Sequence, residues 1–186
     1  MTFFRKVYMA VRKKLFKIDD RTSFQKACDN GMKVGNDCRI QDGVLCDPSH
    51  SWLITMGDRV TLAPRVVLLA HDASTKNTLG YTMIGRINIG NDVFIGAGSI
   101  VLPCVSIGNN VIIGAGSVVS RSIPDNSVAA GNPCRVIKGY GEFIEERKKQ
   151  MDASPLYDES FRVGSITSEN KELMKEELAS SAGFVK

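Results

Sequence analysis

Aliphatic residues recur at every sixth position through the middle of this chain, a spacing that belongs neither to an α-helix nor to a simply alternating strand. From Ile89 the chain divides into Ile89-Gly-Asn-Asp-Val-Phe, Ile95-Gly-Ala-Gly-Ser-Ile, Val101-Leu-Pro-Cys-Val-Ser, Ile107-Gly-Asn-Asn-Val-Ile and Ile113-Gly-Ala-Gly-Ser-Val, with Val119 opening another unit. Four of these five hexads place Gly second, and all five place a small or β-branched residue fifth. The register continues upstream in Met56-Gly-Asp-Arg-Val-Thr, Leu62-Ala-Pro-Arg-Val-Val and Leu68-Leu-Ala-His-Asp-Ala. It is weaker in Val34-Gly-Asn-Asp-Cys-Arg and Ile40-Gln-Asp-Gly-Val-Leu. Tandem hexads in phase predict a solenoid with three short strands per coil. The first position then points inward onto its equivalent in the next coil, and residues such as Gly or Asn take the turn dihedrals.

Two breaks in the repeat locate surface loops. Cys46 and Met56 are ten residues apart instead of six, and about a dozen residues around Ser74 to Gly85 interrupt the hexads between Leu68 and Ile89. Insertions in a solenoid emerge on one face, often the binding face. The pattern divides the chain into an N-terminal segment at 1–30, a β-helix domain at 31–139 with a loop near 72–85, and a tail at 140–186.

The ends follow other rules. Residues 3–18 set Phe3, Phe4, Val7, Tyr8, Val11, Leu15 and Ile18 at helical spacing, with Arg5, Lys6, Arg12, Lys13, Lys14 and Lys17 mostly opposite, which predicts a basic amphipathic helix. It would pack on the β-helix or a neighbouring subunit, or lie on an anionic lipid surface. The tail holds ten acidic and seven basic residues after position 141, and it predicts helices over 142–151 and 169–179 around a polar loop with Pro155.

Charge sharpens this division. The net charge of +4 is the sum of +6 in residues 1–18 and −2 in the rest, so the body carries no basic platform for nucleic acid. The five cysteines, Cys28, Cys38, Cys46, Cys104 and Cys134, contain no Cys-x-x-Cys pair and are expected to be small buried residues, with no metal site. No apolar run reaches the length of a membrane span and no secretory signal is legible, so the expected location is the cytoplasm, any membrane contact being at its inner face.

From Gly85 to Lys138 the sequence resembles the hexapeptide-repeat acyltransferases of the galactoside and maltose O-acetyltransferase type, which include capsular and exopolysaccharide O-acetyltransferases. The resemblance is carried by Ile107-Gly-Asn-Asn-Val-Ile-Ile-Gly-Ala-Gly-Ser-Val-Val-Ser-Arg and by Ile123-Pro-Asp-Asn-Ser-Val-Ala-Ala-Gly-Asn-Pro-Cys-Arg-Val-Ile-Lys. It implies an all-β fold, a left-handed parallel β-helix, assembled as a homotrimer that holds acetyl-CoA between neighbouring β-helices. Carried over residue by residue, it places Ala97 and Ala115 beside the pantetheine arm, followed by Ser120 and Arg121, with Arg135 and Lys138 near the nucleotide phosphates. Phosphate favours such basic groups through charge-assisted hydrogen bonds.

The chain has two histidines, His50 and His71, and His71 stands where the repeat breaks into the long loop. The resemblance places the family's catalytic histidine at this point. A sugar hydroxyl is a poor nucleophile, and an imidazole can take its proton as the oxygen attacks the thioester. No serine or cysteine forms a nucleophile motif beside His71, so direct transfer is expected. Asp72 follows His71 but points to the opposite face of an extended strand. Asp42 and Asp47 lie on an earlier coil and could reach the site by stacking. Asp42, Asp47 and Asp72 are therefore candidates for acceptor binding, although turn positions account for the first two equally well. His50 could line the acceptor site, but an exposed loop histidine is the simpler reading.

The acceptor loops leave alternatives open: O-acetylation of a glycan hydroxyl, N-acylation of an amino sugar or nucleotide sugar, or a β-helix scaffold without catalysis. A zinc site of the kind found in β-helix trimers would need about three histidines. The N-terminal helix yields its own test. If it lies on anionic lipid, the 186-residue chain should sediment with anionic liposomes and a variant lacking residues 1–18 should not; no sedimentation of the 186-residue chain would remove the lipid-anchor reading.

Overall fold

The computed structural model describes residues 21–186. The basic amphipathic helix expected in residues 3–18 lies outside them. The described chain forms two compact units that divide between Ile137 and Lys138.

The first unit opens with helix α1 (Ser23–Asp29), capped by a reciprocal box in which the Thr22 hydroxyl accepts the Gln25 N–H and the Gln25 side chain accepts the Thr22 N–H. The hexads then wind into coils. The first coil contains β1 (Lys33–Val34), β2 (Arg39–Ile40) and β3 (Leu45–Cys46). A 3₁₀ turn (Ser51–Leu53) leads to the second, β4 (Ile54–Met56), β5 (Thr61–Leu62) and β6 (Val67–Leu68). An arm follows, made of β7 (His71–Asp72), α2 (Lys76–Leu79) and β8 (Met83–Ile84). The third coil is β9 (Ile87–Ile89), β10 (Val93–Ile95) and β11 (Ile100–Val101), and the fourth is β12 (Ser106–Ile107), β13 (Val111–Ile113) and β14 (Val118–Val119). β15 (Ser127–Ala130) and β16 (Arg135–Gly139) close the solenoid.

Each coil sends one strand into each of three sheets, ordered β1-β4-β9-β12, β2-β5-β10-β13-β15-β16 and β3-β6-β11-β14, and the strands of successive coils pair in parallel. The hexad register is the pairing register. Val34, Met56, Ile89 and Ile107 align in one sheet, Ile40, Leu62, Ile95 and Ile113 in the second, and Cys46, Leu68, Val101 and Val119 in the third. These side chains fill the interior, with Leu62, Leu68, Ile95 and Ile113 wholly buried. Coils stack about 4.8 Å apart, and aliphatic burial at roughly 25 cal/mol per Å² holds them together.

The corners show why the other hexad positions are restricted. The second-position glycines do not supply the turn dihedral. They stand where successive coils touch backbone to backbone, and a Cβ on Gly90 would lie 2.8 Å from the Gly108 carbonyl. The left-handed conformation falls instead on the fourth position: Asp37, Arg59, Arg65, Asp92, Cys104 and Asn110 have positive φ, as do Gly43, Gly98 and Gly116. At the corner leaving the first sheet, third-position side chains form a ladder. The peptide N–H of Asn36 donates to Asp58 at 2.7 Å, that of Asp58 to Asn91, that of Asn91 to Asn109 and that of Asn109 to Asp125, each of these last at 2.8 Å. At the corner leaving the second sheet, the buried fifth-position hydroxyls of Ser99 and Ser117 bond the coil backbone in the same way.

Three expectations need correction. The interruption near 72–85 is a hairpin arm whose strands pair antiparallel, His71 opposite Ile84 and Asp72 opposite Met83; its strands are too short for alternation to reveal. Of the cysteines, Cys46 and Cys134 are buried and Cys28 and Cys38 half-buried, but Cys104 is exposed because its fourth position points off the corner. Third, glycine and asparagine divide the corner between close approach, hydrogen bonding and turning.

The second unit contains α3 (Tyr140–Asp152), β17 (Leu156–Tyr157), α4 (Ser168–Glu177) and β18 (Phe184–Val185). The two strands form a parallel ribbon, absent from the expected elements since each is only two residues long. Buried Tyr157 donates its hydroxyl to Glu177 at 2.8 Å. Among the described residues no helix is long and apolar enough to cross a membrane.

Close coil contact makes a specific prediction. Gly90→Ala should destabilise the solenoid by roughly 1–3 kcal/mol, the cost of overpacking. Gly141→Ala, at a helical position with open space around it, should be neutral or stabilising by up to about 1 kcal/mol. Urea denaturation of the two variants distinguishes these outcomes.

Candidate active site

Both breaks in the repeat leave the solenoid at the corner that follows the third sheet. In the first coil this corner reads Asp47-Pro-Ser-His50 and runs into the 3₁₀ turn; in the second it reads Leu69-Ala-His71 and runs into the arm. Coil stacking therefore brings His71 over Asp47 across 24 residues of sequence.

The Asp47 carboxylate is wholly buried. One of its oxygens accepts the N–H groups of Ser49 at 2.8 Å and His50 at 2.9 Å; the other accepts the Ala70 N–H at 2.9 Å and faces His71 Nδ1 at 2.5 Å. Burial pushes this carboxyl upward, but the bonds from His71 and the three backbone N–H groups outweigh it and hold it below the ordinary aspartate value. Ionised Asp47 can only accept, so Nδ1 of His71 carries a hydrogen, and in the neutral ring the lone pair falls on Nε2. The side chain of His71 remains 28% exposed. The carboxylate thus selects the tautomer and orients the ring while Nε2 stays free for a proton.

His71 lines a cleft of about 520 Å³ with Leu69, Asp72, Ala73, Met83, Leu102, Pro103 and Ser120. Leu69, Leu102 and Ser120 are equivalent corner residues of successive coils, so the cleft runs from the imidazole toward later coils. Of the residues singled out in the sequence, His71, Asp72 and Ser120 share this cleft. Asp72 accepts the Ser74 N–H at 2.8 Å, an arrangement that bends the arm. Arg121 is exposed next to Ser120, and Arg135 is exposed with Nη1 donating to the Cys134 carbonyl at 2.8 Å. Ala97 and Ala115 stand on a different corner, between the second and third sheets, and Asp42 stands on that corner too. Lys138 belongs to the second unit, where it pairs with Glu146 at 2.5 Å.

Asp47 is thereby moved from acceptor binding to the support of His71, because its oxygens have no open side. His50 is not an exposed loop residue. It is half-buried, its Nδ1 is enclosed, and its ring centroid is 5.6 Å from that of His71. The available signal was positional: Asp47 occupies the second place of a hexad one coil before the histidine. Burial drives the neighbouring Cys46 thiol up to about 12, reinforced by Cys28 and Asp47, so it is no nucleophile. Asp47, His50 and His71 offer ligand atoms within 4.8 Å of one another. At zinc bond lengths near 2.0 Å, tetrahedral ligands sit roughly 3.3 Å apart, so the 2.5 Å contact between Asp47 and His71 has the geometry of a hydrogen bond.

The family profile described as bacterial transferase hexapeptide (six repeats) matches residues 86–121. Protein CapG of Staphylococcus aureus is 46% identical over 113 residues, covering 58% of this chain and 66% of CapG. Galactoside O-acetyltransferase of Escherichia coli is 46% identical over 92 residues, covering 47% of this chain and 44% of that protein. YvoF of Bacillus subtilis, which carries an acetyltransferase name, is 31% identical over 121 residues, covering 65% of this chain and 68% of YvoF. The chain thus spans 66% and 44% of the lengths of the first two relatives.

Two consequences follow for Asp47. Its lowered pKa contributes stability that is complete above the unfolded aspartate value near 4 and is lost as pH falls through the folded value. Asp47→Asn should therefore flatten the acid limb of a plot of stability against pH, as measured by urea melts between pH 2 and 6. An unchanged limb would show that Asp47 is not held ionised.

Proposed function

This chain belongs to the hexapeptide-repeat transferases, and we propose that it transfers an acetyl group from acetyl-CoA to a hydroxyl of a carbohydrate acceptor. The observation that carries this reading is the Asp47–His71 pair at the head of a cleft that continues to Ser120. The name of the galactoside O-acetyltransferase relative supports both the acetyl donor and the sugar acceptor.

The acceptor hydroxyl gives its proton to Nε2 of His71 as its oxygen bonds to the thioester carbon. The imidazolium formed is stabilised by ionised Asp47, whose hydrogen bond to Nδ1 strengthens as the ring becomes positive. The tetrahedral intermediate then expels the coenzyme A sulfur, which recovers the proton from Nε2. The transfer is direct.

Acetyl-CoA would lie along the cleft, with Ser120 and Arg121 at its later coils and Arg135 serving the phosphates. Ala97 and Ala115 support a site shared between copies. They occupy a corner other than that of His71, so one copy would bring them to the His71 corner of another, as a homotrimer does. A cytoplasmic donor supports a cytoplasmic location, and residues 1–18 would supply any contact with the inner face of the membrane.

Thiol release in the presence of acetyl-CoA and a galactoside acceptor tests the mechanism. His71→Ala should lower kcat by roughly 10²–10⁴-fold with calorimetric acetyl-CoA affinity retained, and Arg121→Ala should weaken donor affinity with kcat retained. Full turnover in His71→Ala would overturn the assignment of the base.

A further inference from the structure

The corner that carries Asp47 also carries an insertion that proton transfer does not require. Its 3₁₀ turn is firmly built. Ser51 is wholly buried and accepts the side-chain N–H of Asn30 at 2.9 Å, the Leu53 N–H donates to the His50 carbonyl at 2.9 Å, and the Ser49 and His50 N–H groups end on Asp47. This turn presents Trp52, the single tryptophan of the chain, with 52% of its surface exposed. Its root is seated against Gly31, where an added Cβ would meet the Trp52 Cβ at 3.2 Å. Its ring lies 5.2 Å from His50, whose ring lies 5.6 Å from His71.

An exposed indole on a fixed turn is a preorganised apolar face, and ordering it has already been met by folding. The cleft leading to Ser120 does not include it, so it stands outside the surface assigned to the donor. The C–H-rich face of a pyranose complements an indole, because its weakly positive hydrogens meet the negative π face. One intervening ring separates Trp52 from the base. A sugar over Trp52 would be the neighbour of the one whose hydroxyl meets Nε2.

We infer that Trp52 is a stacking platform for a second sugar unit of the acceptor, so that the substrate is a disaccharide or longer glycan and not a monosaccharide. This rests on the acetyl-transfer reading above. Trp52 is a specificity residue; it touches no reacting atom.

The single tryptophan provides a readout independent of turnover. Intrinsic fluorescence of the full chain would be titrated with methyl galactoside, lactose, maltotriose and chitotriose without donor, and transfer to each sugar would be followed by thiol release. A saturable fluorescence change with an oligosaccharide, absent with methyl galactoside, is expected. Trp52→Ala should raise KM for that oligosaccharide by roughly 3–10-fold at unchanged kcat, and Trp52→Phe should recover part of the loss. Oligosaccharide acetylation with silent fluorescence and an unchanged KM in Trp52→Ala overturns the platform and leaves the transferase reading standing. A fluorescence response without transfer to any sugar overturns the reaction and leaves the platform. Silence in both overturns both.

Discussion

Successive coils of this solenoid touch backbone to backbone at their corners, and nearly every other feature depends on that contact. With strands about 4.8 Å apart, a second-position glycine such as Gly90 leaves no room for a side chain between its coil and the next. At the corner leaving the first sheet glycine therefore occupies the second position, Asn or Asp bonds the neighbouring peptide from the third, and the chain turns at the fourth. The aliphatic interior drives collapse, while the corners determine which residue stands above which.

The same stacking assembles the candidate site. Asp47 and His71 are far apart in sequence, but they occupy one corner in adjacent coils, and the hydrogen bond between them is a coil-to-coil contact like those of the asparagine ladder. The difference lies in burial and charge. A ladder asparagine shares its surface with water, whereas Asp47 is enclosed and satisfied by three backbone N–H groups before it meets the imidazole. A rigid carboxylate of this kind fixes the histidine tautomer and the orientation of its ring.

Variation is confined to the corner that follows the third sheet. Both interruptions of the hexad leave there, one as a short turn presenting Trp52 and the other as the arm that begins at His71. The other two corners keep their ladders, so the coils stay in register on either side of the insertions. A solenoid can diversify one edge in this way because each coil is stabilised by its neighbours and not by the loop it emits.

Much of this was legible in the sequence alone. The six-residue period identified the three-strand coil and the inward residues, since a repeating backbone geometry imposes a repeating side-chain requirement. The break after Leu68 singled out His71. The period is nevertheless silent about which corner faces which, so Asp47 read as a candidate for acceptor binding and His50 as an exposed loop residue, and nothing in the repeat set the corner of Ala97 and Ala115 apart from that of His71. Only the tertiary structure decided these points. Whether a carboxylate is buried, which hydrogen bonds its oxygens accept and which ring it meets depend on the contact between coils, and no local run of residues records that contact.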